Sequence, residues 1–209
     1  MVACGDAGEP QQMSSAVAPA AAPIVAPPRA PAGPPLAEAD RTVAPEVAAA
    51  RQQVEADQGA AALPALDAWI TSHPGDADAL YWRARARVAA KDSAGAEVDL
   101  LSAISLDASW PNPRQQLCDL YVAGKRCAEA LPHQDLLVTA LPDNPTLRVN
   151  RAFCLNQAGR VEEAIADLNR ACQAGLPKAC TSATRLQAKQ DLRSADPSAA
   201  TGPAEPESQ

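Results

Sequence analysis

Aromatic residues are scarce: the 209-residue chain holds three Trp, two Tyr and one Phe. A thick globular core leans on large rings, and the apolar residues here are mostly alanine, which suits thin helical layers instead. No run approaches the roughly 20 apolar residues that cross a bilayer. No cluster of Lys and Arg tracks a phosphate backbone, and 25 acidic against 18 basic residues leave a net charge of −7. Nucleic acid is therefore excluded as an expected partner. There is no convincing alternating β-branched stretch and no strand followed by a glycine-rich phosphate loop. No Cys-x-x-Cys pair occurs, and His73 and His133 lie far apart, so no metal site is expected. Neither histidine adjoins a nucleophile in a recognisable motif, and both read as surface or capping residues. These gaps argue against an enzyme, a cofactor or a small-molecule substrate.

Proline, by contrast, is abundant, with 20 in the chain. Seven of them (Pro19, Pro23, Pro27, Pro28, Pro31, Pro34 and Pro35) fall in a weakly charged, aromatic-free stretch before Thr42. Each removes a backbone donor and disfavours the α region in the preceding residue. Residues 1–42 are thus expected to be a disordered, polyproline-biased tether, and 193–209, rich in Pro, Ser, Ala and Glu, a disordered tail.

Between them the pattern is helical and repeats. Ala62, Ala96, Ala130 and Ala164 recur at one constant interval. An eighth slot that must be small where two antiparallel helices cross reads Ala50, Ala84, Cys118 and Ala152, at the same interval. The last turn, Gly159-Arg160, runs into Val161-Glu162-Glu163-Ala164-Ile165. A 34-residue period with small residues at these slots resembles the tetratricopeptide repeat family. The resemblance covers about two thirds of the chain and implies an all-α, right-handed α-solenoid. Its repeats are expected at 43–76, 77–110, 111–144 and 145–178, closed by a polar-faced capping helix over 179–192 with Leu186 and Leu192 as its apolar residues.

Alternate repeats share further features. Repeats two and four carry Arg83/Arg151 and Asp99/Asp167; in one branch of the family this pair sits on facing helices, which implies Arg83–Asp99 and Arg151–Asp167 structural ion pairs. Repeats one and three share Ala62-Leu63-Pro64 and Ala130-Leu131-Pro132, then Asp67/Asp135 and Thr71/Thr139. The prolines are expected to delay or kink the second helices. Together these features suggest that a unit of two repeats was duplicated.

Val2-Ala3-Cys4-Gly5 resembles the end of a bacterial lipoprotein signal, with Cys4 as the lipid-bearing residue and the tether directly behind it. Only three residues precede Cys4, so the resemblance requires a start further upstream. Gly5 after the cysteine, where Asp would retain the protein at the inner membrane, implies outer-membrane sorting. Cys172 and Cys180, in Cys172-Gln-Ala-Gly175 and Lys-Ala-Cys180, resemble the disulfide spacing of secreted Sel1-like repeats, which implies a bond between them. Among Cys118, Cys127 and Cys154 one stays free; Cys127 faces either Cys118 within its hairpin, the pairing slightly preferred, or Cys154 across the repeat boundary.

By family resemblance the first helices line a concave groove. The positions implied are Arg51 and Val54; Asp78, Tyr81 and Arg85; Asn112, Gln115, Asp119 and Val122; and Thr146, Val149, Phe153, Asn156 and Gln157. Phe153 is the anchor candidate, unless it packs on the preceding repeat. The Lys/Asn clamp of chaperone-binding relatives is missing. The expectation is a non-enzymatic scaffold that binds a protein or peptide in this groove. Its setting is the cell envelope, as an outer-membrane lipoprotein facing the periplasm that touches the membrane only through its lipid. The alternatives are a soluble cytosolic adaptor and, second, a regulatory part of an enzyme.

Overall fold

The structure is a computed structural model that describes residues 41–195. Cys4, the proline-rich run and residues 196–209 lie outside the described residues. The described part consists of α-helices: α1 (Pro45–Glu55), α2 (Gly59–Ser72), α3 (Ala77–Ala89), α4 (Ser93–Leu106), α5 (Pro111–Ala123), α6 (Cys127–Ala140), α7 (Pro145–Gln157), α8 (Val161–Gln173) and α9 (Pro177–Ala195). Consecutive helices pack in antiparallel pairs, and α1 also touches α3, so the first helices of the first two hairpins lie side by side.

Local chemistry sets the boundaries. Pro45, Pro111 and Pro145 open α1, α5 and α7, where a missing N–H is harmless. Asp76, Asp92 and Asn144 cap α3, α4 and α7 by accepting from the N–H of Ala79, Gly95 and Thr146. Each first helix ends the same way. After α3, the Asp92 N–H reaches the Arg87 carbonyl at 2.8 Å and the Lys91 N–H reaches that of Val88 at 3.0 Å, the Schellman pattern. It needs a left-handed residue, found at Asp57, Lys91, Lys125 and Gly159, with φ between 60° and 77°. The repeat period is thus written in backbone angles as well as side chains. Only the last of the four is glycine, the residue that adopts this conformation without Cβ strain.

The helices cross on alanine. Ala62, Ala96, Ala130 and Ala164 are fully buried, and Ala50, Ala84, Cys118 and Ala152 are buried too. Of the two expected effects of Pro64 and Pro132, the delay is absent: α2 and α6 begin at Gly59 and Cys127, ahead of them, so each proline lies inside its helix. The bond each removes belongs to the carbonyl four residues back, Ala60 or Ala128, in an exposed first turn where water replaces the donor. At the C-terminal end α9 runs on through Ala195, past the expected cap boundary. Leu186 packs on the core, whereas Leu192 is exposed and contributes nothing to it. Arg41, expected within the tether, is instead held against the repeats.

Candidate protein-binding groove

The ion pairs that order the hairpins also fix the face they present. Arg83 donates from Nε and Nη2 to Asp99 at 2.9 and 2.7 Å, and from Nη1 to Asp67 at 2.9 Å. Arg151 does the same with Asp167, at 2.7 and 2.8 Å, and with Asp135 at 2.9 Å. Each fork joins a hairpin to the second helix of the hairpin before it. Asp67 and Asp135 are the members that pairwise reasoning overlooked; the equal steps in 67–83–99 and 135–151–167 were the available signal. Arg87 adds a second donor to Asp99 at 2.7 Å, and Arg148 approaches Asp167 at 3.5 Å. Asp99 and Asp167 are buried, and the hydrogen bonds they accept hold Arg83 and Arg151 above the usual arginine range.

Between α4 and α5 the corresponding slots hold Leu101, Leu117 and His133, and no fork forms. Arg114 and His133 meet there without an acid, the Arg114 Nε and His133 Nδ1 being buried and unpartnered. Burial lowers the pKa of both, and Arg114 pushes His133 down further. This junction is fastened at its two ends. At one, Arg126 donates to Glu97 at 2.6 and 3.0 Å, and the Tyr121 hydroxyl donates to the same carboxylate at 3.1 Å. At the other, Arg41 forks onto Asp78 at 3.0 Å and reaches Asp107 at 2.9 Å, its guanidinium stacked 3.9 Å over Trp110. Nothing in the local sequence around Arg41 signals this reach across 66 residues to Asp107.

The cysteines correct one expectation. Cys172 and Cys180 are bonded, with Cα atoms 4.8 Å apart. Cys127 pairs with Cys154, Cα atoms 5.0 Å apart, and not with Cys118. The reason is direction: Cys127 opens α6 toward α7, whereas Cys118 points into its own hairpin, with its Sγ 3.8 Å from the Ala130 carbonyl. Cys118 is the free, buried thiol, and burial followed by the nearby Asp119 raises it to about 12.

The implied groove residues divide. Tyr81 is only 5 % exposed, closed edge-on between Trp82 at 5.2 Å and Trp110 at 4.7 Å, so it supports the floor and offers no free side chain. Asp78 is occupied by Arg41, and Arg51 by Glu55 at 2.9 Å. Val54, Val122 and Val149 pack half-buried on the core. Arg85 lies 4.7 Å over Trp82 and 5.8 Å from Tyr81, with no carboxylate or carbonyl among the described residues accepting from it. Asn112 and Gln115 are half-buried; Asp119, Thr146, Asn156 and Gln157 are exposed. Partial enclosure of its carboxyl raises Asp119 above the ordinary carboxylate range, and no cation pairs with it among the described residues. Phe153 is 50 % exposed. A void of about 10 Å³ at the third and fourth hairpins, lined by Gln115, Cys118, Asp119, Gln134, Leu137, Leu147 and Asn150, has room for no more than a water.

A family model described as tetratricopeptide repeat matches residues 47–113 and again 117–178, more than half of the chain. The protein belongs to the tetratricopeptide repeat family, and its architecture is the α-solenoid of that family. No curated protein matches it. Among solved structures it is similar to YrrB, described as a tetratricopeptide protein with an unusual peptide-binding site, at 18 % identity and a TM-score of 0.65, over 73 % of this chain and 79 % of that one. It is also similar to a shortened MamA from Desulfovibrio magneticus RS-1, at 15 % identity and a TM-score of 0.63, over 72 % and 88 % of the two chains. The MamA of AMB-1 aligns at 17 % identity and a TM-score of 0.64, over 70 % and 81 %. At such identities the likeness speaks for the fold alone.

Proposed function

We propose that this protein is a non-enzymatic scaffold whose first-helix groove holds a segment of another protein, and that it works in the cell envelope on a lipid anchor at Cys4. The observation that carries the first half is the state of the groove. Phe153 stands half-exposed, Asp119 is exposed with no cation paired to it among the described residues, and Arg85, stacked on Trp82, has no acid among the described residues. Half-exposed aromatic and charged groups without partners are the kind that concentrate binding energy when a ligand desolvates them. The peptide-binding description of YrrB agrees with this use of the fold. A photo-crosslinking amino acid in place of Phe153 is expected to capture a discrete partner in cells. The same group in place of Ala166, exposed on the second helix α8, is not; equal capture from both sites would refute the groove.

Support for the envelope comes from the cysteines. Two cysteine pairs at disulfide geometry fit an oxidising compartment, and Val2-Ala3-Cys4-Gly5 ahead of a proline-rich stretch fits a lipid-anchored tether. The export reading expects one titratable thiol, that of Cys118, in the denatured mature protein. All six thiols titrating would favour the soluble cytosolic adaptor. Incorporation of labelled palmitate that disappears in Cys4→Ala tests the anchor, and an in-frame stop close upstream of Met1 would sink it.

A further inference from the structure

A cavity of about 430 Å³ opens where α7 begins and α8 ends, lined by Pro142, Asp143, Pro145, Arg148, Arg170 and Gln173. Its volume lies in the range of small-ligand sites, and none of these residues belongs to the groove. Two guanidiniums share the cavity, and the fold uses little of either. Arg170 is exposed and donates to no acceptor among the described residues. Arg148 is fixed in place, Nη2 donating to the Pro142 carbonyl at 3.1 Å and Nη1 approaching Asp167 at 3.5 Å. Asp167 is already satisfied, since Arg151 forks onto both its oxygens at 2.7 and 2.8 Å. Nor does the repeat require the pair. The same two slots hold Arg114 and Leu136 in the third hairpin, Leu80 and Ser102 in the second, and Glu46 and Ala68 in the first. We infer that this cavity binds a phosphate ester of a small polyol, its phosphate held between Arg148 and Arg170 and its hydroxyls toward Asp143 and Gln173.

Charge and shape choose the ligand. A chain of net charge −7 repels anions at long range, so two cations against one carboxylate make this cavity a local exception. The ends of α7 and α8 add little, because the positive end of one helix and the negative end of the other meet here and offset. A planar carboxylate is satisfied by one guanidinium fork. A tetrahedral phosphate offers oxygens to two guanidiniums that reach it from different helices. Bare phosphate would leave most of the volume empty and set Asp143 against a like charge. A polyol ester fills the space: Asp143 accepts from a hydroxyl, Gln173 donates or accepts, and Pro142 and Pro145 wall the carbon chain. No aromatic ring lines the cavity, so a nucleotide base has nothing to stack on. The same chemistry occurs in a free polyol phosphate and in the head group of a phosphoglycerol lipid.

The test uses the full-length chain with Cys4→Ser, which cannot carry a lipid at that cysteine. Glycerol 1-phosphate, titrated by calorimetry, is expected to bind saturably and about tenfold more tightly than inorganic phosphate. Arg170→Ala is expected to weaken it about tenfold by removing charge-assisted donors. Arg185→Ala, an equal change of charge on exposed α9, is expected to leave it unchanged. Asp143→Ala is expected to erase the preference over inorganic phosphate. Arg170 pairs with nothing among the described residues, so its loss leaves the fold intact. Co-sedimentation with vesicles of phosphatidylcholine, with and without phosphatidylglycerol, separates the two sources. Phosphatidylglycerol-dependent binding that Arg170→Ala abolishes assigns the lipid head group, and binding of glycerol 1-phosphate alone assigns the free ester. If neither probe binds, or if the two arginine variants weaken binding equally, the site is overturned. Equal affinity for inorganic phosphate, or a preference that survives Asp143→Ala, overturns the polyol. No such result touches the groove reading, which the Phe153 crosslink tests separately.

Discussion

The junctions between hairpins one and two and between three and four are closed by the same device, an arginine forked between two aspartates; the junction between two and three is not. Asp67–Arg83–Asp99 recurs as Asp135–Arg151–Asp167, two hairpins further on, while Leu101, Leu117 and His133 take their places at the centre. The helices therefore repeat once per hairpin, but the electrostatics repeat once per pair of hairpins. This difference teaches that a solenoid with uniform geometry need not be uniformly fastened. In a repeat array each interface contributes separately to stability, so the charge pattern divides it into two stiff pairs joined by a differently made seam. That seam, α4 against α5, is held by contacts at its ends, Arg41 at one and Glu97–Arg126 at the other.

The largest expected effect breaks one fork. Arg151→Ala leaves buried Asp167 with only the 3.5 Å approach of Arg148, and is expected to destabilise by about 3–5 kcal/mol in urea unfolding. Arg83→Ala should cost less, because Arg87 still donates to Asp99 at 2.7 Å; equal losses would show that the second donor contributes nothing. Of comparable size is reduction of the disulfides. Both lie in the C-terminal pair and its cap, closing separations of 27 and 8 residues, and by restricting the unfolded chain they contribute about 3.5 and about 2.5 kcal/mol respectively. Hydrogen exchange with and without reductant is expected to show lost protection in α6–α9 and little change in α1–α4. A uniform loss would mean the seam transmits stability fully and the two-pair description fails.

A smaller effect lies in the turns. At Gly124-Lys125 the left-handed residue is Lys125, with φ 60°, while Gly124 has φ −79°, so the glycine stands one place too early. A Cβ at Gly124 would meet nothing closer than 3.5 Å. Gly124→Ala with Lys125→Gly is expected to stabilise by about 1 kcal/mol, raising the urea midpoint without changing its slope. The smallest effect is a pH dependence at the seam. His133 has its pKa depressed by burial and by Arg114, so the fold resists a proton that the unfolded chain accepts at about pH 6.5. Stability should therefore fall as pH drops below that value and level off once it passes the depressed folded pKa. His133→Gln should flatten the curve over this window; a curve unchanged by His133→Gln would remove the histidine from the account.

Much of this was legible in the chain. The evenly spaced alanines announce the hairpins because only small side chains let two helices cross closely, a constraint that belongs to each position alone. Arg83 with Asp99, and Arg151 with Asp167, were visible because fixed hairpin geometry converts sequence spacing into facing slots. Asp67 and Asp135 were visible as repeated residues without their role, since that role depends on how one hairpin leans on the next. The exposed, unpartnered state of Phe153 and the closure of Tyr81 were not legible, because the same slot is floor or surface according to which rings and cations its neighbours supply.

The period, the helical class and the small-residue crossings follow from local pattern, since each needs only the residues of one hairpin. The tertiary structure alone decided three matters: that Cys127 reaches Cys154 and not Cys118, that Arg41 reaches Asp107, 66 residues away, and that Tyr81 is closed between Trp82 and Trp110 while Phe153 stands half-exposed. Each depends on the direction of a side chain relative to a neighbouring repeat. That direction is set by how hairpins stack, which spacing along a chain does not encode.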